Sequence, residues 1–136
     1  MKTRLLTEDA MLPCFMTEGA ACADVFLPIG LTIEPHQTIK VPLNIAFDLD
    51  PGTKVVMYPR SSLLVKRGLI QPVSIIDEDY HGNVHVPLHN LTDEPVHLER
   101  HERVAQIEVV KAREVSTDWN TDSQERDQNG FGGTGK

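Results

Sequence analysis

Ser74-Ile75-Ile76-Asp77-Glu78-Asp79-Tyr80-His81-Gly82-Asn83-Val84-His85-Val86-Pro87-Leu88-His89 decides how this chain folds. An apolar run from Val73 to Ile76, broken by Ser74, leads into an acidic turn. Beyond it Val84, Val86 and Leu88 alternate with His85, Pro87 and His89. Period-two patterning marks a strand with one buried face, because successive side chains point to opposite sides of a sheet. The stretch therefore reads as two strands joined by a turn. Asp77, Glu78 and Asp79 sit beside Tyr80 at the end of a buried strand. Turn chemistry explains an Asp or a Gly here. It explains the density of charge less well, since like charges repel and a carboxylate buried without a partner is costly. A plain hairpin turn and a functional site both remain open on this segment alone.

Working outward, short strands separated by turn residues continue along the chain, over 23–27, 38–49, 53–58, 69–76, 83–91, 96–99 and 103–111. Pro51-Gly52, His81-Gly82 and Asp93-Glu94-Pro95 punctuate them. This spacing predicts an all-β sandwich or barrel. Only 61–67 reads as a short helix, with Ser61 or Ser62 as N-cap and Gly68 as its stop. Arg60 ahead of free helix-start N–H groups suits an anion, and a capped surface turn is the competing reading. From Ser116 the composition turns polar and glycine-rich, with Trp119 and Phe131 the large apolar side chains. Such a segment buries too little surface to offset its ordering entropy. The expected organisation is a β domain over 1–115 and a flexible C-terminal arm over 116–136. Gly130 to Lys136 mimics the start of a phosphate-binding loop, but that motif needs a Ser or Thr after the lysine and a helix beginning there.

Composition narrows the function. At 136 residues the chain suits one domain with a real core. Thirteen Lys and Arg against 20 Asp and Glu give a formal charge of −7, so a broad basic face for nucleic acid is not expected. Cys14 and Cys22 form neither a disulfide framework nor a zinc pattern. His85 and His89 lie four apart, but on a strand both face outward as a solvated surface rather than as metal ligands. No apolar run reaches the ~20 residues of a membrane span and no signal-peptide organisation opens the chain, so an intracellular, cytoplasmic home is expected.

Five segments, in order, resemble the motifs of the trimeric dUTP diphosphatases, the dUTPases. They are Ala21-Cys22-Ala23-Asp24-Val25; Pro59-Arg60-Ser61-Ser62-Leu63 with Lys66 and Gly68; Ile76-Asp77-Glu78-Asp79-Tyr80-His81-Gly82; Glu102-Arg103-Val104-Ala105-Gln106; and Arg126 followed by Gly130-Phe131-Gly132-Gly133-Thr134-Gly135. The resemblance implies a jelly-roll-like β-barrel or sandwich assembled as a homotrimer, with active sites shared between subunits and closed by the C-terminal arm. It implies hydrolysis of dUTP to dUMP and pyrophosphate, which limits uracil in DNA and supplies dUMP for dTMP synthesis. Asp77 would activate the water that attacks the α-phosphate, and Tyr80 would pack on the deoxyribose and exclude a 2′-hydroxyl. The strand ending at Ile76 would present backbone groups to uracil, and Gln71 stands where an Asn contacting uracil is frequent. Arg60, Ser61, Ser62 and Gln106 would hold phosphate oxygens. Arg126 would neutralise the γ-phosphate, Phe131 would stack over the base, and Gly132 and Thr134 would add contacts from the arm. Mg²⁺ would ride mainly on the triphosphate and water, with no direct protein ligand. Asp24 would meet its waters, or else bond to the second motif.

Cys22 and Ser74 replace glycines of the family pattern, and Asp127 adds negative charge to the arm. Two other readings compete: a dCTP deaminase-type relative, and a non-catalytic jelly-roll module that binds or regulates. The source, cellular or viral or phage, stays open. If the arm serves catalysis, truncation after residue 116 will cut dUTP turnover severely and leave the thermal melting temperature nearly unchanged; equal loss of both would make the arm structural.

Overall fold

The computed structural model describes residues 1–112. Its elements are β1 (Lys2–Leu5), β2 (Ala23–Phe26), β3 (Leu31–Ile33), β4 (Thr38–Pro42), β5 (Ile45–Asp48), β6 (Thr53–Tyr58), α1 (Ser61–Arg67), β7 (Leu69–Ile70), β8 (Ser74–Ile76), β9 (His85–Asn90), β10 (Val96–Leu98) and β11 (Arg103–Lys111). Every pairing is antiparallel, and strands distant in sequence lie side by side, as in β2–β11–β6–β8, β4–β9–β7, β1–β5 and β3–β10. This is the expected all-β, jelly-roll-like architecture with one short helix. Among the described residues the sheets do not close into a continuous barrel.

The alternation in β9 holds: Val86, Leu88 and Asn90 are buried, while His85, Pro87 and His89 line the other face. Val86 and Leu88 join Val25, Leu27, Ile33, Phe47, Val55, Met57, Leu98 and Ile107 in one apolar cluster. Fully burying one such side chain contributes about 1.5–3 kcal/mol.

Two expected strands are interrupted, each for a local reason. The run 38–49 divides into β4 and β5 because Asn44 takes a left-handed φ of 56°. Asparagine tolerates that conformation better than other non-glycine residues. The run 69–76 divides into β7 and β8 around Gln71-Pro72-Val73, where Pro72 has no N–H to give a ladder. The strands β1 and β3 are additions to the sequence reading; four and three residues are too few for periodicity to register. The expected N-cap at Ser61 or Ser62 is corrected. Both serines lie inside α1, and Arg60 occupies the cap without a side-chain cap bond. Gly68 ends the helix as expected, in the left-handed conformation at φ 67°.

One buried polar side chain ties the β7–β9 edge to its loop. Asn90, 0% exposed, donates from Nδ2 to the carbonyls of Ile33 (3.0 Å) and Glu94 (2.8 Å). Its Oδ1 accepts from the Thr92 N–H (2.9 Å) and hydroxyl (2.7 Å). Asn90→Ala strands these partners, and chemical denaturation is expected to show a loss of about 2–4 kcal/mol.

Candidate active site

Three strands set one row of polar side chains across the outer face of the larger sheet. Gln106 on β11 is directly opposite Asp24 on β2 and Tyr58 on β6. Arg103 lies three residues from Gln106, so in a regular strand it would point to the opposite face. A bulge prevents this: the register against β2 shifts between Arg103 and Ala105, and Val104 and Ala105 are buried consecutively. Arg103 thereby reaches Asp24, with Nη1 at 3.2 Å from Oδ2. The other carboxylate oxygen of Asp24 faces Arg60 Nε at 3.7 Å. Arg60 also donates to the Arg103 carbonyl at 3.3 Å, and Gln106 Nε2 donates to the Pro59 carbonyl at 3.0 Å. Asp24 is buried and held between two guanidiniums. Arg103 completes this ion-pair network; the sequence analysis quoted it within a motif but gave it no role, because the bulge that turns it toward Asp24 leaves no mark in hydropathy. Ser61, exposed, and Ser62, half-buried, follow Arg60 at the start of α1.

Further along the same face, the Tyr58 hydroxyl donates to Glu108 at 2.6 Å. That bond, then burial and the charges of Glu108 and Cys22, hold the tyrosine proton above its ordinary range. Burial raises the Cys22 thiol as well, helped by Glu108 and then by Asp24.

A second group occupies the other end of β8. A cleft of about 250 Å³ is lined by Ser74, Ile75, Ile76, Asp77, Tyr80, Asn83 and His85, with Lys40 reaching in from β4. Asp77 is exposed there. The turn is fastened at several points: the Tyr80 N–H donates to the Asp77 carbonyl (3.1 Å) and the Tyr80 hydroxyl to the Asn83 carbonyl (2.7 Å). Glu78 accepts the Gly52 N–H at 3.0 Å, and Arg4 on β1 donates to the His81 carbonyl at 3.0 Å. Glu78 is thus spent on shaping the turn.

The sequence-derived residues therefore form two groups within the chain, Asp24, Arg60, Ser61, Ser62 and Gln106 on one side, Ile76, Asp77 and Tyr80 on the other. Among the described residues no hydrogen bond or ion pair joins the two. Gln71 is outside both: it is buried, and its Oε1 and Nε2 have no partner among the described residues. Arg126, Phe131, Gly132 and Thr134 lie outside the described residues, as do the boundary at 115–116 and the arm. A larger groove, about 520 Å³, is apolar and lies elsewhere among the described residues, between Met1, Leu12, Phe15 and Val109.

A dUTPase family model matches residues 8–135. The chain belongs to the dUTPase family. Deoxyuridine 5'-triphosphate nucleotidohydrolase from Hydrogenobaculum sp. is 38% identical, covering 96% of this chain and 94% of that protein. The nucleotidohydrolase from Nautilia profundicola is 32% identical, over 100% of this chain and 99% of its own. The fold agrees with a Staphylococcus bacteriophage 80alpha dUTPase solved with dUpNHpp, at TM-score 0.84 and 21% identity over 99% of this chain and 98% of that one. It also agrees with the dUTPase from phage phi11 of S. aureus, described with a structural Mg(II) ion, at TM-score 0.83 and 19% identity over 90% of this chain and 97% of that one.

Because Cys22 is held protonated by burial first and Glu108 second, its alkylation by iodoacetamide near neutral pH will be slow. Glu108→Gln will speed it and move the pH–rate curve to lower pH, a shift readable by mass spectrometry.

Proposed function

We propose that the chain hydrolyses dUTP to dUMP and pyrophosphate in a site completed by further copies of itself, as a homotrimer. The observation that carries this reading is the separation of the two half-sites within one dUTPase-family chain. The water-activating carboxylate and the phosphate-binding groups must meet to act, and a second copy supplies the missing half. The apolar groove beside β1 and β11, with Phe15 62% exposed, supports the same reading, since a contiguous apolar surface on a small domain marks a contact face.

In this site Asp77 orients the water and takes its proton as it attacks the α-phosphate. The exposure of Asp77 suits a base that meets its partners with the substrate. Tyr80, its hydroxyl pinned to Asn83, presents the flat of its ring to the sugar and excludes a 2′-hydroxyl. Ile76 and the strand before Asp77 offer backbone groups to the base. Arg60, Ser61, Ser62 and Gln106 hold phosphate oxygens, and Asp24 keeps Arg60 and Arg103 in place. We assign Arg126, Phe131, Gly132 and Thr134 to an arm that closes over the nucleotide. Gln71, standing where an Asn that contacts uracil is frequent in the family, has an amide without a partner among the described residues.

Among the described residues no three His, Cys, Asp or Glu side chains gather to hold a metal. Asp24 offers hard oxygens that already face two guanidiniums, so these residues fit Mg²⁺ met through water, with Asp24 as the outer partner. Mg²⁺ would supply positive charge against that developing on the leaving pyrophosphate, and Asp24 would hold its waters. The reading places the enzyme in the cytoplasm, with dUTP, not nucleic acid, as its ligand. Among the described residues no helix is long and apolar enough to cross a membrane.

Pyrophosphate release measured on dUTP, dCTP, dTTP and UTP with Mg²⁺ is expected for dUTP alone. Ammonia from dCTP would reveal a deaminase, and inactivity on all would leave a binding module. Asp77→Asn is expected to lower kcat by at least about 10²-fold while nucleotide binding and the melting temperature hold.

A further inference from the structure

We propose that Asn44 is a positioning residue for sugar selection: from outside the cleft, its side chain braces the turn that holds the Tyr80 ring in place. The inference rests on the reading of Tyr80 as the wall against a 2′-hydroxyl and names what keeps that wall from yielding.

Asn44 separates β4 from β5 with a left-handed φ of 56°. It does not line the cleft that Asp77, Tyr80 and Asn83 share. Its neighbours are joined to the base of the hairpin through backbone. The Leu43 N–H donates to the Val84 carbonyl at 2.9 Å, and the Val84 N–H donates to the Ile45 carbonyl at 2.8 Å. Asn44 itself meets Asn83. Its N–H donates to Asn83 Oδ1 at 2.9 Å, and Asn83 Nδ2 donates to Asn44 Oδ1 at 3.0 Å. A backbone N–H can only donate, so this pair fixes which way both amides face. The Asn44 carbonyl accepts the Leu6 N–H at 2.9 Å, which ties the brace to the segment after β1. Among the described residues the Asn83 side chain has no other hydrogen-bond partner.

Asn83 passes this restraint to the ring. Its carbonyl accepts the Tyr80 hydroxyl at 2.7 Å. The ring also lies against Gly82, where an added Cβ would come within 2.7 Å of Tyr80 Oη and 2.9 Å of Cζ. Tyr80 is thus stopped on one side by the backbone of residue 82 and pinned at its tip by residue 83. A ribose differs from a deoxyribose by one oxygen, and a wall rejects that oxygen only while it cannot move aside. Selectivity of this kind depends on the bonds behind the contact residue as much as on the residue itself.

Steady-state hydrolysis of dUTP, and of UTP at high enzyme concentration, tests this on the full chain with Mg²⁺, alongside the melting temperature. Asn44→Gly accepts the positive φ and keeps the N–H bond to Asn83, so it removes the amide alone. Its ratio of kcat/KM on dUTP to that on UTP is expected to fall about three- to tenfold, through a rise on UTP that a merely structural role would not produce. Asn44→Asp tolerates the same backbone and offers an oxygen to Asn83 Nδ2, so it will restore most of the ratio. Tyr80→Phe lacks the hydroxyl and will lower the ratio too; adding Asn44→Gly will lower it little further, because both act through one linkage. A lowered melting temperature in Asn44→Gly with an unchanged ratio, or additive losses in the double variant, overturns the role of Asn44 alone. Protein active on dUTP whose ratio survives Tyr80→Ala overturns the reading of Tyr80 as the wall, and this role with it.

Discussion

A carboxylate taken out of water and placed between two guanidiniums organises the polar face of the larger sheet. Asp24 lies on a strand buried along its length, so its charge has to be answered locally, and Arg60 and Arg103 answer it from different elements. Each arginine arrives by a distinct device. Arg60 follows the end of β6, where the chain leaves the sheet for α1, and Arg103 is turned toward Asp24 by the bulge in β11. The arrangement holds cationic groups ready without letting them collapse onto one another. An anionic ligand arriving there finds the guanidiniums already oriented, so less ordering entropy remains to be lost on binding.

The acidic turn solves the opposite problem. Three carboxylates follow one another, and of these Asp77 lines the cleft. Glu78 is consumed by the Gly52 N–H, and Arg4 from the N-terminal strand grips both Asp48, at 3.2 Å, and the His81 carbonyl. Tyr80 and Asn83 complete a turn whose shape is specified by hydrogen bonds rather than by packing. Precision in an exposed loop needs such bonds, because the apolar core lies beneath it and cannot hold its side chains.

Much of this was legible in the residues. The alternation from Val84 to Leu88 fixed the buried face of β9, while Asp77, Arg60 and Gln106 were singled out by the resemblance to the dUTPase motifs. Arg103 was missed for a physical reason: its partner Asp24 is 79 positions away and the bulge that unites them leaves no mark in hydropathy. Arg4 escaped for a similar cause, since β1 is too short for its pattern to stand out and its value lies in contacts with distant segments. The break at Asn44 depends on a backbone conformation that asparagine permits but does not announce. The helix start differed because a serine just inside a helix and a serine capping it look the same in one dimension. What the sequence conveyed well was local periodicity; what it concealed was pairing across the sheet.

The bulge in β11 has a consequence for how the chain can change over time. The odd spacing of Arg103 and Gln106 and the bulge offset each other, so the two side chains look the same way. Deleting one position between them would remove the bulge and leave them two residues apart in a regular strand, still on one face, whereas a slip that straightens the strand without shortening it would turn a guanidinium toward the core. Spacing and bulge are thus inherited together, independent of which apolar residues lie between.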